Sequence, residues 1–405
     1  MKKRILIITP KFPYPSYGAC ELDRAAGIEM FIKLGYEVYV ITKVYGEEYK
    51  QEAARMAEKL GITIVPISYK YLSRAQTFCK KIQSIFGRIF RPWYLDGAAY
   101  EYSDPEIRLA VQNALGSFKP ELVWFDYTYL WPLYSLIKKS GTPIITRSIN
   151  FEPLHFLEED GRTFWNYLKF IPKLLSEYLT VRKSSAILAI TPQEAEIYKK
   201  IGARRVAVLP LRGLSRCLEQ KSTVKTRKPL NVFFSGSTYN VVHNRKALEF
   251  LLADIIPLAQ KSFPGEFRFH IFGGKVPQQF YNYFGSEVIK HGYLSSEKFA
   301  SLMDEMDIAV VPSLYGAGMQ QKIFEPLTRG IPAITSSRAI AGYPFRDREH
   351  LLFADSARQF VDSLELLRDQ VWRGKLSAAS MAVAHKLFSV EAIQKIVLES
   401  VATVF

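Results

Sequence analysis

Short apolar runs alternate with longer amphipathic stretches from one end of the chain to the other, the pattern of parallel sheets covered by helices. Residues 4–9, 37–43, 62–67, 122–125, 143–147, 186–190 and 206–209 read as strands of a first series, with helical stretches such as 21–34 and 47–60 between them. A second series reads as strands at 231–235, 267–272, 288–292, 308–312 and 332–335. Between the two lies a polar, basic segment, residues 216–228, with no apolar periodicity, which reads as a linker. The tail, residues 389–405, reads as an amphipathic helix. The fold class is α/β, with two doubly wound domains that place ligands at the carboxyl ends of their strands.

Residues 311–332, VPSLYGAGMQQKIFEPLTRGIP, carry the most chemistry. A strand runs into a turn containing Gly316 and Gly318, a helix follows, and Gly330 and Pro332 stop it before the next strand. Glycines let an anion approach the backbone, and the free N–H groups and positive dipole end of a helix favour phosphate. Lys322 adds a cation one turn in. Glu325 follows at i+3 on nearly the same face, where a carboxylate accepts hydrogen bonds from ribose hydroxyls. That order points to a nucleotide-diphosphate site; the plainer alternative is a Lys–Glu pair on a solvated helix. Pro326 removes one helix hydrogen bond and should kink or shorten the helix just after Glu325.

This stretch resembles the donor site of GT-B glycosyltransferases, specifically family 4 and its close relatives. Those have a glycine-containing loop and a helix ending in Glu-Ala-x-Ala-x-Gly-x-Pro, which residues 325–332 approximate. Many members place a first glutamate eight positions before the second, and here that position is Ala317. The chain is closer to relatives with a glycine-rich loop followed by a Lys-x-x-Glu helix. The resemblance covers the whole chain and is strongest over residues 231–342. It implies two Rossmann-like domains facing a cleft: residues 1–215 for the acceptor, 216–388 for the nucleotide-sugar donor, and a last helix, 389–405, crossing back to the first domain.

The resemblance also implies site residues. Donor contacts are expected from Gly18, Gly236, Ser237, His243, Asn244, Gly273, Gly274, Ser313, Gly316, Gly318, Met319, Gln320, Lys322 and Glu325. On the acceptor side, Arg147, Asn150 and Glu152 match the pattern Arg-x-His-Asn-x-Glu, with Ile149 at the His position, and Asp126 is a further carboxylate. Lys322, Glu325, Asn150 and Glu152 are expected to carry catalysis. The implied reaction moves a sugar from a nucleotide diphosphate to a hydroxyl of a lipid-linked, lipopolysaccharide or polysaccharide acceptor, with retention, in cell-envelope polysaccharide biosynthesis. No cofactor and no metal are expected beyond the nucleotide sugar as co-substrate. A catalytically degenerate GT-B protein that binds nucleotide sugar or partner enzymes is the alternative, suggested by Ala317 and Ile149. A sugar-nucleotide epimerase would need more cleft carboxylates and histidines.

Charge adds a partner. The net charge is +15 over 405 residues, weighted to the first half, which favours anionic partners, and no nucleic-acid motif accompanies it. Leu72, Ala75, Cys79, Ile82, Phe86, Ile89 and Trp93 form an apolar stripe flanked by Arg74, Lys81 and Arg88. Such a helix suits an anionic membrane surface, and the basic-aromatic stretch 162–173 could extend it. The three cysteines show neither disulfide nor zinc spacing, and no apolar run approaches the ~18 residues that span a bilayer. A cytoplasmic protein, peripheral on the cytoplasmic membrane face, is expected.

Overall fold

The computed structural model describes residues 3–16, 18–71, 86, 95–218, 228–316 and 318–405. The chain divides into two compact units. One comprises the chain up to Leu157, then Gly161–Gly213 and Gln394–Phe405; the other comprises Glu158–Asp160 and Leu214–Ile393.

The first unit is built on β1 (Arg4–Thr9), β2 (Glu37–Val44), β3 (Thr63–Ser68), β4 (Leu122–Phe125), β5 (Ile144–Arg147), β6 (Ala186–Ala189) and β7 (Val206–Val208). They form one sheet in the order β3-β2-β1-β4-β5-β6-β7, with every pair parallel. Helices cover both faces, so Ile5, Leu6, Ile7 and Ile8 are all buried. This is why the strands read as continuous apolar runs. The strand order turns about β1, which pairs with β2 on one side and β4 on the other. The connections leaving β1 and β4 therefore diverge and open a crevice at their carboxyl ends.

A buried ionic network closes the floor of that crevice. Asp23, on the helix Ala19–Lys33, accepts hydrogen bonds from Arg147 Nε at 2.9 Å and Arg212 Nη2 at 2.7 Å. The Arg212 backbone N–H also donates to Asp23, at 2.7 Å. Arg212 Nη2 reaches Asp126 at 3.2 Å, and Trp124 Nε1 donates to the same carboxylate at 2.8 Å. Gly27 makes room for this: a Cβ there would lie 2.0 Å from the Arg212 guanidinium. In sequence Asp23 reads as a helix-dipole acid beside Glu21; in the structure it is the fully buried partner of two arginines.

The second unit is built on β8 (Leu230–Thr238), β9 (Phe267–Gly274), β10 (Val288–Gly292), β11 (Ile308–Val311), β12 (Ala333–Thr335) and β13 (Leu352–Phe353). Its order is β10-β9-β8-β11-β12-β13, again all parallel. The direction reverses between β8 and β11. Both β8 and β9 run past their expected ends, through Gly236 and Gly273. Glycine permits it, because a Cβ on Gly273 would lie 1.8 Å from the Gly236 carbonyl oxygen. The start of the expected linker is packed, not extended: Ser215–Leu218 is a short helix that buries Cys217 and Leu218. Residues 219–227 lie outside the described residues.

Removing one partner of a buried ion pair strands the other, at a cost of about 3–5 kcal/mol. Asp23→Ala, which would strand two arginines, should lower the unfolding free energy read from urea titration by an amount in this range. Burial alone would raise the Asp23 pKa, but Arg147 and Arg212 hold it well below the usual carboxylate range. Its contribution is thus complete above the unfolded-state value of about 4 and is lost as pH falls further. The deficit of the variant should accordingly shrink in strong acid, as urea titrations at pH 7 and pH 2 would show.

Candidate functional site

The crevice of the second unit gathers most of the expected donor residues. After β11 the chain enters a turn in which Gly316 and Gly318 take φ of 98° and 75°, a region open to glycine at no steric cost. A Cβ on Gly316 would lie 2.9 Å from Gln320 Nε2 and 3.5 Å from the His243 ring, so these three groups are in contact. Gln320 Nε2 donates to the Tyr315 carbonyl at 3.2 Å, and Ser313 Oγ bonds Gln320 Oε1. Lys246 stands over the Tyr315 ring, 4.3 Å from its centroid. Met319 is buried beside them.

The helix Gln321–Thr328 follows with no side-chain cap at Gln320, and the Ile323 N–H turns back to the Gln320 carbonyl at 3.0 Å. It is short and contains Pro326, as the sequence suggested. Lys322 Nζ donates to Asn244 Oδ1 at 2.7 Å, and Asn244 Nδ2 donates to the Thr238 carbonyl at 3.0 Å. Asn244 thus ties the end of β8 to the lysine across the β8–β11 reversal. Burial pushes the Lys322 pKa down to about 7.

Glu325 behaves differently. It accepts from Arg329 Nη2 at 3.0 Å and Nε at 3.2 Å, and from Gln321 Nε2 at 3.2 Å. Lys322 and Glu325 therefore do not pair with each other; one faces β8 and the other is clamped along its own helix. The remaining members of the set are spread along the strand ends. Gly236 and Gly273 pack on the buried ring of Tyr239, whose hydroxyl donates to the Phe272 carbonyl at 2.7 Å. Ser237 is exposed, and Gly274 lies 3.7 Å in ideal Cβ contact from Tyr293. Tyr239 was not singled out from the sequence, where an isolated tyrosine in a loop carries no signal.

In the first unit Gly18 opens the helix Ala19–Lys33, beneath which the ionic network lies. Arg147 and Asp126 are both members of that network and are almost wholly buried. Arg147 also donates to the carbonyls of Leu209 and Pro210, at 2.7 and 3.1 Å. These bonds tie the chain just after β7 to the end of β5. Glu152, at the start of the helix Glu152–Asp160, accepts from Tyr127 Oη at 2.8 Å and Lys173 Nζ at 3.2 Å. Asn150 lies between, its carbonyl accepting from Ser148 Oγ at 2.9 Å.

Two buried carboxyls support the loop after β5 from below. Glu194 accepts from the Phe151 N–H at 2.8 Å, and Glu177 accepts from the Glu152 N–H at 3.2 Å, Thr128 Oγ1 at 2.8 Å and Tyr198 Oη at 2.9 Å. Burial raises their pKa values to about 7 and about 8. Neither was foreseen, since each sits on an amphipathic helix where a glutamate reads as solvated.

Of the proposed membrane stripe, Arg74, Lys81, Arg88 and Trp93 lie outside the described residues, while Phe86 is exposed. Among the described residues no three His, Cys, Asp or Glu side chains gather into a metal-sized cluster, and no helix is long and apolar enough to cross a membrane.

Residues 229–370 match the family model described as Glycosyl transferases group 1. No curated protein sequence matches the chain. Among solved structures, sucrose-phosphate synthase from Thermosynechococcus elongatus is similar over 100% of this chain and 99% of its own, with 15% identity and a TM-score of 0.70. TarM is similar over 98% of each chain, with 11% identity and a TM-score of 0.68. HepE of Anabaena, solved with UDP-glucose, covers 98% of this chain and 99% of its own, with 12% identity and a TM-score of 0.63. At these identities the likeness establishes the fold, which is GT-B. The family match gives residues 229–370, within the second unit, the sequence pattern of a group 1 glycosyl transferase domain.

The depressed pKa of Lys322 makes a prediction independent of activity. Below pH 7 the lysine is protonated both folded and unfolded, and the burial penalty is felt in full. As pH rises towards the unfolded value of about 10.5 the folded lysine is neutral while the unfolded one still binds a proton, so the penalty fades. Lys322→Met should therefore raise the melting temperature at pH 6, and the gain should shrink steadily towards pH 10. A gain that grows with pH would contradict the assignment.

Proposed function

We propose that this enzyme transfers a sugar from a nucleotide-diphosphate donor, bound by the second unit, to a hydroxyl of a lipid-linked, lipopolysaccharide or polysaccharide acceptor, bound by the first. The observation that carries the reading is the half-buried Lys322, held by Asn244 in the first turn of a helix without a side-chain cap, behind a glycine turn. A diphosphate in that crevice would meet backbone N–H groups, the helix dipole and one cation, and would return the lysine to its charged form. Fixed donors of this kind stabilise the charge that develops on the leaving diphosphate. We infer that they act in place of a divalent cation and that the anomeric configuration is retained. UDP is the first base to test, because HepE was solved with UDP and with UDP-glucose.

In this reading Gly236, Gly273, His243, Gly316 and Gln320 shape the donor crevice, and the loop carrying Asn150 and Glu152 serves the acceptor. Glu325, clamped by Arg329, orients the helix and offers its remaining lone pairs to ribose. Losing one electrostatic donor to a transition state costs ~10²–10³ in rate. Lys322→Ala should show a loss in that range in release of UDP or GDP from a panel of labelled nucleotide sugars, with weaker nucleoside-diphosphate binding. Turnover should persist in EDTA, and the product anomer read by NMR should match the donor. Unchanged kinetics in folded Lys322→Ala would refute the donor assignment.

We also propose that the enzyme works at a cytoplasmic anionic membrane face. Support comes from the helix Phe164–Lys183, which exposes Phe164 (69%), Trp165 (70%) and Ile171 (62%). Its exposed polar neighbours Arg162 and Lys169 are basic, and its one acid, Glu177, is buried. Aromatic and apolar side chains edged by cations suit the boundary between headgroups and acyl chains. A triple change of Phe164, Trp165 and Ile171 to Ser should release the protein from phosphatidylglycerol vesicles in co-sedimentation while hardly moving its melting temperature, since those side chains are mostly exposed and the Phe164 and Trp165 rings meet each other. Unaltered co-sedimentation would remove this helix from the membrane contact.

A further inference from the structure

Three arginines are buried in the first unit near the carboxyl ends of β1 and β4, and one differs from the others. Arg147 and Arg212 are satisfied by Asp23, with Arg212 shared by Asp126. Arg24, one position along the helix from Asp23, is only 5% exposed, and its Nε is enclosed without a partner. No described side chain or carbonyl hydrogen-bonds or ion-pairs with it. A guanidinium cannot shed its charge, and it carries five N–H donors in a planar fork. Burying one without an acceptor is unfavourable unless an acceptor arrives from outside.

The nearby acids are already engaged. Both oxygens of Asp23 are bonded to arginines. Asp126 is taken by Trp124 and Arg212, and Glu21 by Lys11. What remains around Arg24 is aromatic. Its charge is felt by Cys20 and Tyr129 before Asp126 and Glu21, and in turn by Tyr69 and Tyr102. The Tyr69 and Tyr102 hydroxyls both donate to the Pro10 carbonyl, at the start of the loop after β1. The Tyr129 ring lies 4.3 Å from that of Tyr127 and 5.7 Å from that of Tyr102. Tyr127 in turn donates to Glu152. A planar cation, the half-buried rings of Tyr69 and Tyr129, the buried rings of Tyr102 and Tyr127, and the loop of Asn150 and Glu152 thus adjoin one another in the first unit.

We propose that Arg24 anchors an anion subsite for the acceptor: a phosphate or carboxylate group on the acceptor sugar takes both faces of the guanidinium fork while the ring lies against the tyrosines. This rests on the reading of the first unit as the acceptor side. It makes an uncharged acceptor a poor one, because binding it would leave the buried guanidinium unpaired. A site built around an enclosed polar group rejects the analogue that cannot satisfy it.

The test uses the full chain, with Arg24→Gln and Arg24→Lys beside wild type. Glucose 6-phosphate, glucuronate and glucose are titrated calorimetrically, and UDP is titrated separately. Charge-assisted bidentate hydrogen bonds should favour at least one anionic probe over glucose by about tenfold or more in wild type. The phosphate and carboxylate arms show which oxyanion fits. Arg24→Gln should erase the preference, Arg24→Lys should keep part of it, and UDP affinity should be the same in all three proteins. The melting temperature of Arg24→Gln should not fall below wild type, since no bond within the protein is lost. Equal binding of all three sugars by wild type, or a preference that survives Arg24→Gln, overturns the proposal. So does a lowered melting temperature accompanied by loss of UDP binding, which would make Arg24 structural. If the Arg24-dependent preference holds but UDP does not bind wild type, the anion subsite stands and the donor assignment of the second unit fails instead.

Discussion

In each unit the strand order turns about its first strand, and that constraint organises everything else. β1 has β2 on one side and β4 on the other, as β8 has β9 and β11. Chains leaving such a pair must part, so backbone groups at the strand ends have no neighbouring loop to bond. Side chains then decide what fills the space. In the first unit a helix brings Asp23 against Arg147 and Arg212, and the floor is sealed by paired charge. In the second, glycines keep the space open, and Asn244 bridges the parting strands to a lysine.

The two crevices also differ in how they treat burial. Paired ions in the first unit satisfy each other, and Arg147 ties the end of β5 to the chain just after β7. Lys322 and Arg24 are instead desolvated without a counter-ion bonded to them. Each is a position where the folded protein holds a group in a state that a ligand would relieve. Among the described residues such breaches of local pairing are few, and one lies in each crevice.

Much of the scaffold could be read from the chain because parallel strands buried on both faces leave an unambiguous apolar run. Every expected strand is present within a few residues, and among the described strands β13, two residues long, was not anticipated although it lies in the apolar run 351–354. The glycine turn and the place of Lys322 on the helix after it were legible because glycines and a Gly-x-Pro stop punctuate the strand-turn-helix pattern. Partners were not. Nothing in the spacing of Asp23, Arg147 and Arg212 signals that three distant segments converge, and Glu325 reads equally well as free or as clamped by Arg329. Gly236 and Gly273 were read as ligand contacts, while their close approach to each other depends on a register that only the assembled sheet defines. The same holds for Arg24, whose helix position looks solvated until the tyrosines are placed around it.

One consequence of the Lys322 environment lies outside binding and catalysis. An amine with a pKa near 7 is about half uncharged at neutral pH, and an uncharged amine is a nucleophile. Lys322 is therefore chemically distinctive: electrophiles small enough to enter the glycine-lined crevice, such as cyanate or activated acyl groups, meet a reactive nitrogen there. A bound diphosphate would recharge the amine and silence it, so the same feature that suits the crevice to an anion leaves the empty protein open to covalent damage at its most sensitive point.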